Sequence, residues 1–172
     1  ILAGPQRCLP ALIPFDIAAT KKDVISLGVG EPDFSTPWSI RKTAVNTLER
    51  KKIIYGANKG IEPLRDAICT YINKKYGVQY NSDDEIIVTV GGSEAIDLAI
   101  RALVDVGDEV LVVEPSFVCY APLVELAGGV AVSVPTKIEN NFKLTPEDLE
   151  GKITEKTKLL ILPFPNNPTG AV

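Results

Sequence analysis

The chain reads as an α/β protein of three layers, helices on either side of a mostly parallel sheet, on three observations. Apolar runs and helical patterns alternate from residue 84 onward. Glycine and proline punctuate the joins between them. The strand-like runs are apolar throughout rather than alternately polar, as strands covered on both faces are.

Residues 1–50 carry Gly4, Pro5, Pro10, Pro14, Gly28, Gly30, Pro32 and Pro37 between short apolar stretches, the pattern of an arm and loops leading into a helix. Thr36 as N-cap and Pro37 at the first helical position open that helix, with Ile40, Ala44, Val45 and Leu48 at helical spacing. A second helix starts near Glu62, sets Leu64, Ala67, Ile68, Tyr71 and Ile72 on one face and stops at Gly77. Residues 85–90 predict a buried strand, 93–104 a helix with Ala95, Ile96, Ala99, Ala102 and Leu103 inward, and 109–113 the next strand. Then come a helix over 117–127 closed by Gly128 and Gly129, and a strand over 130–134. A helix opens at Thr145-Pro146-Glu147-Asp148 with an acidic first turn, and a last strand covers 158–162. Such sheets usually hold ~5–6 strands, so the last strand is expected to find neighbours in chain outside these residues.

Composition narrows the function. At 172 residues, 45% apolar and 23% charged with a net charge of −4, the chain has the profile of a globular domain with a real core. No basic stripe asks for nucleic acid or an anionic membrane, and no apolar run approaches the ~20 residues of a membrane helix. Cys8, Cys69 and Cys119 are far apart and lack Cys-x-x-Cys spacing, which disfavours a disulfide framework and a metal site and points to a cytoplasmic, reducing compartment. The chain has no histidine. That removes Ser-His-Asp and Cys-His nucleophiles and His general bases, leaving acid–base chemistry to Lys, Asp, Glu, Tyr or a cofactor.

Two segments could bind a ligand. Gly91-Gly92-Ser93 joins a strand to a helix; helix N-termini present free N–H groups and about half a positive charge, and glycine lets an anion approach the backbone. The same residues also fit a tight turn with Ser93 as N-cap. They match neither Gly-x-Gly-x-x-Gly nor a P-loop. Asn167-Pro168-Thr169-Gly170 follows the last strand, at the edge where open α/β sheets take ligands, and Pro168 restrains the backbone of Asn167 to extended conformations.

Leu27-Gly28-Val29-Gly30-Glu31-Pro32-Asp33-Phe34, Tyr55 with Gly60 and Leu64-Arg65, Gly91-Gly92-Ser93-Glu94-Ala95, Pro115-Ser116-Phe117-Val118-Cys119-Tyr120 and Asn167-Pro168-Thr169-Gly170 occur in that order. In this series the chain resembles the first part of a class I/II aminotransferase, a pyridoxal 5'-phosphate enzyme of the aspartate aminotransferase superfamily, fold type I. The resemblance implies residues 1–50 as an arm and part of the small domain, and 51–172 as the first, incomplete part of the cofactor-binding large domain. It implies that Gly92, Ser93 and the amide of Glu94 hold the cofactor phosphate, that Phe117 stacks on the pyridine ring and that Asn167 donates to the ring hydroxylate. Gly30 would lie at the substrate carboxylate, and Tyr55 would reach the cofactor phosphate of a partner subunit in a homodimer. Packing roles remain open for Phe117 and Tyr55 on their own chemistry. The aspartate-specific branch tends to carry tryptophan where this chain has Phe117, so a specific link to aspartate is not implied.

The substrates so implied are an amino acid and a 2-oxo acid. The family's Schiff-base lysine, the aspartate that pairs with the pyridine nitrogen and the arginine that grips substrate lie, by resemblance, beyond Gly170. No catalytic residue is therefore assigned within residues 1–172, and these residues alone are expected to be inactive. Lys59, Lys137, Lys143 and Lys158 match loops and helix ends. Two other readings stay open: a lyase, synthase or decarboxylase of the same fold type, or a non-catalytic domain that binds phosphate-bearing ligands.

Overall fold

The computed structural model describes residues 20, 23, 25, 30, 32–51 and 54–172. The expected arm at Pro5–Pro14 and most of the segment around Leu27-Gly28-Val29 lie outside them. The chain divides into two compact units, 1–55 and 56–172.

In the first unit, helix α1 spans Trp38–Arg50. It starts one residue later than the proline rule suggests: Pro37 is the N-cap and accepts backbone bonds from Ile40 and Arg41. Thr36 therefore does not cap it.

The second unit begins with α2, Glu62–Tyr76, which Gly77 closes in the left-handed conformation at φ 71°. There the absence of a Cβ is what permits the stop. The residue of α2 that is buried is Arg65, while Leu64 and Tyr71 of the expected apolar face are exposed. Arg65 donates to Ser82 O at 2.8 Å and stands 4.0 Å from Asp83, so the guanidinium holds the following loop against the helix.

The expected strand over 85–90 is not part of the sheet. Its residues join no ladder among the described residues; Val88 N–H instead donates to Lys59 O. An apolar run signals burial, but only a neighbouring strand makes it a β-strand, and here that neighbour is absent among the described residues.

Helix α3 spans Gly91–Leu103, strand β1 Glu109–Glu114, helix α4 Tyr120–Leu126 and strand β2 Val130–Pro135. A 3-10 turn at Ile138–Asn140, the one-turn helix α5 at Pro146–Leu149 and strand β3 at Thr157–Ile161 follow. Helix α4 thus begins later than residue 117. Thr145 and Asp148 form a reciprocal box at the start of α5: the Asp148 carboxylate accepts from Thr145 N–H at 2.9 Å and from its hydroxyl at 3.1 Å.

The sheet order is β2-β1-β3, all parallel. Among the described residues three strands form the sheet, where the sequence suggests four. Central β1 explains its unbroken apolar run, since Val110, Leu111, Val112 and Val113 are all at most 2% exposed. Val110 and Val112 pack with Ile96, Ile100 and Val104 of the α3 segment and with Val124 of α4. Val113 pairs in register with the fully buried Val134 and points to the other face, where α5 packs on β2. Each such side chain contributes about 1.5–3 kcal/mol by leaving water.

The inward face of α3 keeps only Ile96 of the expected residues. Ile96, Ile100 and Val104 enter the core at four-residue spacing, whereas Ala95, Ala102 and Leu103 are exposed. The phase is set by Ile96, Ile100 and Val104, whose side chains reach β1 where the alanines cannot, while Leu103 lines an open hollow beside β3 with Leu160 and Leu162.

Candidate functional site

Three loops meet the carboxyl edge of the sheet or the start of a neighbouring helix: 89–93, 115–119 and 163–171. The first is built by its own backbone. Gly91, at φ 79°, donates its N–H to Thr89 O at 3.0 Å, and the Thr89 hydroxyl donates to Gly91 O at 2.9 Å. Val90, not Ser93, is the N-cap of α3. The Glu94 carboxylate turns back to accept the Val90 N–H.

A helix start leaves its first N–H groups without intrahelical acceptors. Here Val90 and Gly91 are satisfied as described, and the N–H groups of Gly92 and Ser93 have no backbone or side-chain acceptor among the described residues. A Cβ built on Gly91 or Gly92 meets nothing within 4 Å, so the space above this turn is open. These donors fit a phosphate monoester: two backbone N–H groups, a serine hydroxyl, the positive end of a 13-residue helix, and an acidic neighbour whose charge is engaged elsewhere.

The second loop lies beside the first. The Cys119 thiol meets the Ser93 hydroxyl; burial pushes its pKa up, and the Ser93 contact pulls in the opposite direction. Phe117 is half-buried, its ring 5.8 Å from Tyr120 in an edge-to-face pair at 78°. It lines a hollow of about 450 Å³ together with Glu114, Pro115, Ser116 and Thr136. The Ser133 hydroxyl donates to the Glu114 carboxylate at 2.6 Å on the same rim. Gly92, Ser93 and Glu94 do not line this hollow.

The third loop separates two adjacent asparagines. Asn167 is exposed, whereas Asn166 is 8% exposed and bonded throughout. Sequence reasoning selected Asn167 and passed over Asn166. Nothing in the doublet Asn166-Asn167 says which amide turns inward. Gly30 is exposed, with nothing within 4 Å of its Cβ position, and Tyr55 is fully exposed; both belong to the first unit. The structure therefore brings Ser93 together with the Phe117 loop, and the Phe117 loop together with the Asn167 loop.

Among the described residues no cluster of three His, Cys, Asp or Glu side chains could hold a metal, and no helix is long and apolar enough to cross a membrane.

A parallel sheet with its loops gathered at the strands' carboxyl ends is the architecture of α/β proteins that take ligands at that edge. The chain belongs to the family of class I and II aminotransferases, whose family model matches residues 22–172. It is 49% identical over 158 residues to a putative aminotransferase, YugH, of Bacillus subtilis, covering 92% of this chain and 41% of that protein. It is 48% identical to an aspartate aminotransferase of Pyrococcus abyssi over the same shares. Among solved structures, an aromatic aminotransferase from Pyrococcus horikoshii superposes with a TM-score of 0.83 at 43% identity, over 94% of this chain and 43% of that one. The expected fold, a pyridoxal-phosphate-transferase-like α/β fold, is thus the observed one. The chain spans about two fifths of the length of the curated relatives it matches.

Proposed function

We propose that this chain is part of a pyridoxal 5'-phosphate-dependent aminotransferase that moves an amino group between an amino acid and a 2-oxo acid. The observation that carries the reading is the pair of free N–H groups at Gly92 and Ser93, in a chain of the aminotransferase family. On this reading residues 1–50 are the arm and part of the small domain, and 51–172 contribute to the cofactor-binding domain. We place the enzyme in the cytoplasm as a homodimer, with Tyr55 reaching a partner's cofactor phosphate and Gly30 beside the substrate carboxylate.

The cofactor, when bound, supplies an electron sink that stabilises negative charge at the substrate carbon. The chain's own residues bind and orient it. Gly92, Ser93 and the Glu94 amide hold its phosphate, an arrangement that the helix dipole reinforces by about 0.3–1 kcal/mol. Phe117 covers one face of the ring and excludes water. Asn167 donates to the ring hydroxylate and favours its ionised form. These roles hold the cofactor without choosing which substrate bond breaks, so a lyase, synthase or decarboxylase of the same fold is the competing reading.

The test is an absorbance titration of the protein at its natural length with pyridoxal phosphate, followed by borohydride reduction and peptide mapping. Saturable binding with one lysine carrying the reduced pyridoxyl group supports the reading, and amino transfer to a panel of 2-oxo acids separates it from the lyase alternative. Absence of saturable binding sinks it.

A further inference from the structure

Asn166 is a buried polar residue to which no role has been assigned above. Its side-chain Nδ2 donates to Pro115 O at 3.2 Å, across 51 positions of sequence. Its Oδ1 accepts from Thr169 N–H at 3.4 Å. Its backbone closes the turn from both sides, with Asn166 N–H donating to Ala171 O at 2.9 Å and Gly170 N–H donating to Asn166 O at 2.8 Å. One side chain thus ties the turn that presents Asn167 to the loop that presents Phe117, whose other flank meets Ser93 through Cys119.

We propose that Asn166 is the positioning residue of this site: it fixes the spacing between the Phe117 ring and the Asn167 amide, and so the slot for a flat, hydroxyl-bearing heterocycle. The inference rests on the functional reading above. A buried amide suits the task because it satisfies one loop as donor and the other as acceptor, and each bond it loses leaves a desolvated partner behind. A valine or serine could not span both.

The test uses the protein at its natural length, with Asn166→Ala and Asn166→Asp. The aspartate keeps an acceptor for Thr169 N–H but sets a second acceptor against Pro115 O, so it severs the link between loops while leaving the turn closed. Without cofactor, both variants should raise hydrogen exchange in the peptide covering residues 116–120 while circular dichroism stays unchanged. With pyridoxal phosphate, both should bind about tenfold more weakly, the loss of roughly one hydrogen bond. The pH at which the bound cofactor changes colour should rise by about half a unit to one unit, because a misplaced Asn167 stabilises the ionised hydroxyl less.

Wild-type exchange at 116–120 in both variants would overturn the proposal whether or not cofactor binds. Faster exchange with unchanged affinity and colour midpoint would overturn the positioning role and leave a packing contact. No saturable binding by the wild type would overturn the functional reading, and this role with it.

Discussion

Gly92→Ala should stabilise the protein and weaken its hold on phosphate, two effects of opposite sign from one methyl group. Nothing lies within 4 Å of the added Cβ, and Gly92 is not among the glycines with positive φ. The folded chain therefore accepts alanine without strain, and the unfolded chain loses freedom, worth about 0.4–1 kcal/mol. The same methyl occupies the open space above the first turn of α3, where it holds a phosphate away from the Gly92 and Ser93 N–H groups. Loss of one charge-assisted hydrogen bond costs about 1.5–3 kcal/mol, roughly 10- to 150-fold in Kd. Urea unfolding without cofactor measures the first effect and a pyridoxal phosphate titration the second. Gly91→Ala is the control: its surroundings are equally open, but its φ of 79° is left-handed, so alanine there should destabilise by about 1–2 kcal/mol. Wild-type affinity in a stable Gly92→Ala protein would refute the placement of phosphate at this turn.

Other perturbations follow from the packing. Gly129→Ala drives its Cβ to 2.7 Å from Val104 Cγ1 and should cost about 1–3 kcal/mol in urea unfolding. Val104→Ala alone should cost about 2 kcal/mol, and the double variant should fall short of the sum by more than the ~0.5 kcal/mol of independent sites, because one change vacates the space the other fills. Alkylation of Cys119 should follow a pH profile displaced above that of a free thiol, and Ser93→Ala should displace it further upward by removing the contact that lowers its pKa. Rates against pH for both proteins check this. Arg65→Ala should cost about 1.5–3 kcal/mol, since its buried guanidinium donates to Ser82 O, while Asp83→Asn should cost under about 1 kcal/mol because Asp83 is 77% exposed. Equal costs in denaturant would contradict the assignment of that loop's anchor to Arg65.

The parts of the fold that were legible share a local cause. Gly77 ends α2 because a left-handed residue is needed there and glycine adopts it freely. The apolar run of 110–113 is read correctly as doubly covered because every one of its side chains is buried. Residues 85–90 carry a similar pattern and form no ladder among the described residues, since strand pairing depends on a neighbour distant in sequence. At the start of α3, Ser93 has the chemistry of an N-cap, yet the Glu94 carboxylate bonds Val90 N–H and moves the boundary back.

The candidate site divides in the same way. A glycine pair before a helix, a phenylalanine after a strand and an Asn-Pro-Thr-Gly turn are local signals, and the order in which they occur marks the family. Determined by sequence alone were the α/β class and the parallel alternation of strands and helices, because each depends on backbone preference within a few residues. Only the tertiary structure decided that Cys119 lies against Ser93, that Arg65 rather than the apolar face of α2 is buried, and that Asn166 turns inward while Asn167 stays out. Those outcomes are set by hydrogen-bond partners such as Pro115, 51 positions away, and no local propensity encodes a partner at that distance.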